Sequence, residues 1–149
     1  MKKYWWIAAL VVAVDQLSKL LMQSVSEPIV LLPGIFQLRY AQNTGMAFSM
    51  LSGQPWLLAA LSVLLVAGGW LIMRKHRLGP VSKVGAMLVL GGAVGNLIDR
   101  LLRGYVVDMF EVLFVRFAVF NVADSALCVG CGLIALTLIA FPDDWREKA

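Results

Sequence analysis

Four long apolar stretches, over residues 4–22, 56–73, 81–102 and 119–141, alternate with shorter polar connections. Each matches the roughly 17–25 residues a helix needs to cross a hydrocarbon core about 30 Å thick. Pro55 precedes the second stretch, Pro80 can open the third and Pro142 closes the fourth, positions where proline starts or stops a helix. Between the first two stretches the period changes. Residues 29–32 are apolar, Pro33-Gly34 makes a turn, and Phe36, Leu38 and Tyr40 then alternate with Gln37, Arg39 and Ala41. A period of two after a Pro-Gly turn predicts a hairpin or small sheet. A second connection, 103–118, holds the apolar run 112–117, too short to span and read as strand or interfacial segment. The pattern predicts an all-α membrane protein: a four-transmembrane-helix bundle with a small extracytoplasmic β layer over about 28–50 and 104–118. No repeat or internal linker divides 1–149, so a single domain is expected.

Composition narrows the function classes. The 149 residues are 60% hydrophobic and 15% charged, against about 45–50% and about 25% in soluble domains. One small globule could not cover that apolar excess, which argues against a soluble enzyme or a nucleic-acid-binding module. The net charge of +4 follows topology instead. Lys2, Lys3, Arg74, Lys75, Arg77, Lys83, Arg146 and Lys148 fall on one side; Arg39, Arg100, Arg103, Arg116 and Lys19 fall on the other. Eight against five predicts both termini in the cytoplasm. Tyr4, Trp5, Trp6, Trp56, Trp70 and Trp145 suit an interfacial aromatic belt. Lys2 and Lys3 before an apolar run also resemble a secretory signal, but Asp15, Gln16, Ser18 and Lys19 follow it without a small-x-small cleavage site; a retained anchor is expected.

At membrane depth an ionisable residue costs at least about 2.5 kcal/mol unless paired or facing water. Asp15, Lys19, Asp99, Arg100, Asp108 and Asp124, with Asn43, Asn96 and Asn121, all fall toward one end of their segments, as a site between helices requires. Asp15 and Lys19 are spaced i, i+4, acid first, and predict an intrahelical ion pair. Asp99 and Arg100 are adjacent and cannot share a helix face; interfacial snorkelling or a helix-end pair would explain them. Asp108 and Asp124 can meet only if the second connection folds back over the bundle. A carboxylate pair so formed would share a proton and titrate as a unit, which suits hydrolysis without metal or covalent nucleophile. Intramembrane acids also serve as proton relays, so a proton-coupled transporter is the alternative. His76 sits in the basic connection, away from the acids, and reads as a solvated loop residue. Cys128 and Cys131 read as small packing residues on a helix, and Gly91 and Gly95 as a GxxxG helix contact. No metal or other cofactor is expected.

The blocks DQLSK at 15–19, NTGMAFS at 43–49, GGAVGNLIDRLLRGYVVDMF at 91–110 and FNVADS at 120–125 resemble, in order and over essentially the whole chain, the lipoprotein signal peptidases, or signal peptidase II. The resemblance implies a membrane aspartic endopeptidase of the bacterial cytoplasmic membrane, its site toward the extracytoplasmic face. Such an enzyme removes the signal peptide of a prolipoprotein before the cysteine that carries diacylglycerol. It places the catalytic aspartates on Asp108 and Asp124 and substrate-binding positions on Asn43, Gly45, Asn96, Arg100 and Asn121. Asp15, Lys19, Asp99 and Gly104 become supporting positions. Met46 and Met109 depart from the usual alanine and phenylalanine. The implied partners are the lipid-modified substrate and membrane lipids, with no nucleic acid, and the expected working form is the monomer.

Overall fold

The computed structural model describes residues 2–45, 54–142 and 145–147. Met46 and most of the NTGMAFS block lie outside the described residues. Four helices, α1 (Trp5–Met22), α2 (Pro55–Lys75), α3 (Pro80–Leu102) and α4 (Val122–Ala140), carry the apolar stretches. All four are long and apolar enough to cross a membrane.

Helix α3 is the centre of the bundle and touches each of the other three. Within its most apolar window 44% of residues are buried, against 17–22% in the others. Small residues make this possible. A Cβ on Gly92 would collide with the Ala123 carbonyl oxygen of α4, and one on Gly91 would come 2.8 Å from Val11 Cβ of α1. The GxxxG motif is thus a contact surface, turned toward α1, while Gly92 seats α4.

Three strands, β1 (Ile29–Leu32), β2 (Phe36–Asn43) and β4 (Val106–Val112), form an antiparallel sheet in the order β1-β2-β4. It lies at the end of the bundle where α1 and α3 finish and α4 begins. Gly104, at φ +78°, makes the reversal from α3 into β4 in a region side chains with a Cβ disfavour. The register sets Ala41 opposite Asp108 and Asn43 opposite Val106. Beyond β4 the chain returns, and Phe120 bridges Phe110 through N–H···O bonds of 2.8 and 3.1 Å. That bridge delivers Asn121 and the start of α4 to β4.

Several expectations need correction. The fourth helix begins at Val122, not at 119, because Phe120 is committed to the bridge and Asn121 caps the helix. The second-connection strand is Val106–Val112, and residues 113–117 follow it as an exposed segment. At the opposite end, β3 (His76–Leu78) pairs with β5 (Trp145–Glu147), a two-stranded clasp that the polar tail did not announce. His76 is therefore half-buried in a strand, its Nδ1 2.9 Å from the Ile72 carbonyl, rather than in a solvated loop. Trp145 donates to Thr137 Oγ1 at 3.1 Å and packs on the core. Cys128 and Cys131, read as small packing residues, are exposed on α4.

Candidate active site

The first turn of α4 leaves backbone N–H groups without helical partners. Asn121, the N-cap, accepts Asp124 N–H on its side-chain oxygen at 2.8 Å. Asp124 at the third position accepts Asn121 N–H on Oδ2 at 3.2 Å, completing a reciprocal capping box. A third amide, Ala123 N–H, donates to Asp15 Oδ1 of α1 at 2.9 Å. These bonds fix the backbone that carries Asp124. Its other oxygen, Oδ1, accepts Asn96 Nδ2 of α3 at 2.7 Å.

Asp108 arrives from the sheet. Its side chain is buried and accepts Asn121 Nδ2 on Oδ1 at 2.7 Å and Asn43 Nδ2 on Oδ2 at 2.9 Å. Asn43 accepts Gly45 N–H in turn, at 2.9 Å. Burial pushes the Asp108 carboxyl up from the usual 3.8 to about 6, the two asparagine donors work against that rise, and the nearby Asp124 charge adds to it. Asn121 therefore touches both acids, donating to one through its side chain and exchanging cap bonds with the other. Among the described residues neither acid forms an ion pair.

Beside them sits a second cluster of a different kind. Lys19 is fully buried and bridges Asp15 Oδ2 at 2.8 Å and Asp99 Oδ2 at 3.0 Å. Asp99 Oδ1 takes Arg103, and its Oδ2 also accepts Val107 N–H at 3.1 Å. The i, i+4 pair expected at Asp15 and Lys19 exists, but it is part of a network joining α1 to α3. Asp99 makes a helix-end pair with Arg103 and also bridges to Lys19, and it is buried instead of snorkelling. Lys19 also donates to Asn96 Oδ1 at 3.0 Å. Because that oxygen faces the ammonium and Asn121 Nδ2, the Asn96 amide can only present its NH2 to Asp124.

Arg100 is half-buried on the same turn of α3. Its bonds to the Asn96 and Gly45 carbonyls are long, 3.4 and 3.5 Å, and among the described residues its buried Nε has no partner. Among the described residues the Nε donor of this guanidinium is thus open to a further acceptor, within electrostatic reach of Asp124 and Asp108. A cleft of about 520 Å³ opens over Asp108, lined by Asn43, Leu113, Val115, Phe117 and Val119 among others. It is polar where it meets the acid, and its 113–119 wall is apolar apart from Arg116. No group of three or more His, Cys, Asp or Glu that could hold a metal ion occurs among the described residues.

All eleven site positions read from the sequence lie in this neighbourhood, on α1, β2, α3, β4 and α4 or beside them. Two participants were not foreseen. Gln16 donates to Asp15, to the Gly95 carbonyl and to Asp99, each at 3.1 Å, and Arg103 donates to Gln16 Oε1 at 3.2 Å. The i, i+4 spacing of Asp99 and Arg103 was a visible signal for the second.

Comparison with known proteins agrees with the fold. The model of the family described as signal peptidase (SPase) II matches residues 7–140. The chain is 40% identical to the lipoprotein signal peptidase of Streptococcus pyogenes serotype M6, covering 99% of this chain and 97% of that one. It is 39% identical, with the same coverage, to the protein of serotype M5. Two solved bacterial membrane enzymes, obtained by the in meso method at 2.3 and 1.9 Å resolution, superpose with TM-scores of 0.89 and 0.85 at 27% identity. They cover 100% and 95% of this chain, and 94% and 95% of theirs.

Proposed function

Since the chain belongs to the signal peptidase II family, and is thus a multi-pass bacterial membrane peptidase, we propose that it is an aspartic endopeptidase with Asp108 and Asp124 as its catalytic pair. Its substrate is a diacylglyceryl-modified prolipoprotein, cut before the lipidated cysteine. The observation that carries this reading is Asn121, one residue bonded to both carboxyl groups, whose direct partners among the described residues are neutral amides. Held this way, the buried Asp108 carboxyl is pushed up to about 6, whereas a direct lysine partner would favour its anion.

The chemistry follows from that state. One carboxylate removes a proton from a water molecule whose oxygen attacks the scissile carbonyl carbon. The other, protonated, hydrogen-bonds the carbonyl oxygen and transfers its proton as the tetrahedral adduct forms. Collapse breaks the C–N bond, and a proton passes back to the leaving nitrogen. The open Nε donor of Arg100 and the amide of Asn43 hold substrate carbonyls. Charge asymmetry supports an arrangement with both termini cytoplasmic and the site toward the extracytoplasmic face, and the proposed working form is the monomer.

The location suits a lipid-anchored substrate. Each buried methylene is worth roughly 0.8 kcal/mol, so the acyl chains stay in the bilayer while the peptide bond is cut at its edge. The test is a gel-shift assay on purified protein in nanodiscs with diacylglyceryl-modified prolipoprotein and its unlipidated counterpart. Cleavage of the lipidated form by the parent, and by neither Asp108→Asn nor Asp124→Asn, is expected. Cleavage that survives both substitutions would refute the pair.

A further inference from the structure

Strand β1 is apolar on both faces. Ile29, Val30, Leu31 and Leu32 are all exposed, as is Ile35 beyond the turn. A sheet edge that met water on one side would alternate, as β2 does. The segment after β4 repeats the feature: Leu113, Phe114 and Val115 are exposed, Phe114 at 72%. The two segments are neighbours, since Leu113 N–H donates to the Ile35 carbonyl at 2.9 Å and Phe36 pairs with Val112. Over residues 28–36 there is no charged side chain, and over 112–119 only Arg116, which is exposed. The sheet thus ends in one apolar tip with a single cation.

We propose that this tip, residues 29–35 with 113–117, inserts edge-on into the bilayer leaflet the sheet faces, with Arg116 at the level of the anionic phosphates. Two-sided exposure of apolar side chains calls for an apolar medium on both sides, and the lipid-facing surface of the spans supplies it next door. Depth is limited. An open sheet edge cannot enter the hydrocarbon core because its N–H and C=O groups would lose partners, so the tip stops at the headgroup and acyl boundary, about 5–10 Å in. Pro28 and Pro33, which flank β1, lack the N–H that would be hardest to satisfy there. Arg116 adds electrostatic attraction to anionic lipid. One wall of the cleft over Asp108, built from Leu113 and Val115, then runs directly out of the membrane surface. The inference rests on the spans and the sheet; it does not depend on which residues are catalytic.

Spin labels test it. In a Cys128→Ser, Cys131→Ser background, nitroxides are placed through Leu31→Cys, Val30→Cys, Phe114→Cys, Glu27→Cys and Leu136→Cys, and the full chain is reconstituted in phosphatidylcholine vesicles with and without phosphatidylglycerol. Leu136 is exposed on the flank of α4 and Glu27 is exposed and polar, so they calibrate lipid and water. Labels at Leu31, Val30 and Phe114 are expected to be oxygen-accessible and several-fold less accessible to a water-soluble nickel chelate than the label at Glu27. Phosphatidylglycerol is expected to lower nickel access at Phe114 further, and Arg116→Gln to cancel that change. Nickel access at Leu31 and Phe114 equal to that at Glu27 would overturn insertion, and water-like access at Val30 alone would overturn its edge-on form. Because no label reads cleavage, failure here leaves the catalytic reading untouched.

Discussion

Two groups of buried carboxylates share one end of the bundle and differ in what neutralises them. Asp15 and Asp99 are held by Lys19 and Arg103, so that cluster of two acids and two cations is electrically closed. Asp108 and Asp124 are held by Asn43, Asn96 and Asn121, which donate hydrogen bonds without carrying charge. The first arrangement matches each acid with a cation and serves to pin α1, α3 and the start of α4. The second leaves Asp108, pushed up to about 6 by burial, able to gain and lose a proton. Asn96 links them, with its oxygen on Lys19 and its NH2 on Asp124. The closed cluster thereby orients the open one.

The sharpest break in this comparison is chemical. Asp108→Asn and Asp124→Asn each lose roughly 10²–10⁴-fold or more in cleavage rate, the scale of general acid-base catalysis, measured by gel shift on folded protein. Next is Lys19→Met, which leaves Asp15 and Asp99 without their central cation; breaking a buried pair costs about 3–5 kcal/mol. Thermal unfolding in detergent should show it, and cleavage should fall in parallel as Asn96 loses its fixed orientation.

A third effect has the opposite sign. The raised Asp108 pKa means the folded state binds the proton more tightly than the unfolded chain. Stability from this source is full below 3.8, declines as pH rises toward about 6 and stays low above it. Asp108→Asn should therefore be more stable than the parent at pH 7, on the order of 2–3 kcal/mol. The gap should close as pH falls through 6 in melts taken across that range. Smallest is Arg39→Gln. Arg39 and Glu111 make a two-bond pair at 2.7 and 2.9 Å on the partly exposed sheet, and exposed pairs contribute up to about 1 kcal/mol. A loss larger than that of Lys19→Met would invert the comparison.

The helices were legible because crossing a bilayer demands length and apolarity together, and little else in a chain of this size supplies both. The start of α4 was less so. The Asn121-x-x-Asp124 capping signal was present, but the apolar run opens earlier, at Val119, and hides it. Strand β4 was misplaced toward 112–117 because VVDMFEV sets an acid and apolar residues on each face, erasing a period of two. The three-residue clasp of β3 and β5 has no pattern to read. In the site, membrane cost singled out the acids, while the family resemblance separated Asp108 and Asp124 from the rest. That Asp99 turns to Lys19 and not to Arg100 depends on how α1 packs on α3, which Gly91 and Gly95 permit and no local spacing reveals. Family membership also removes the transporter that the intramembrane acids alone left open.

The central claim is that the two carboxylate groups divide structure from chemistry, and one paired measurement tests it: cleavage rate and melting temperature for Asp15→Asn, Asp99→Asn, Asp108→Asn and Asp124→Asn at pH 7. The account predicts that the substitutions at 108 and 124 abolish cleavage while melting at or above the parent temperature, and that those at 15 and 99 lower the melting temperature with cleavage falling alongside. Full melting stability with lost cleavage at 15 and 99, together with cleavage retained at 108 or 124, would contradict it.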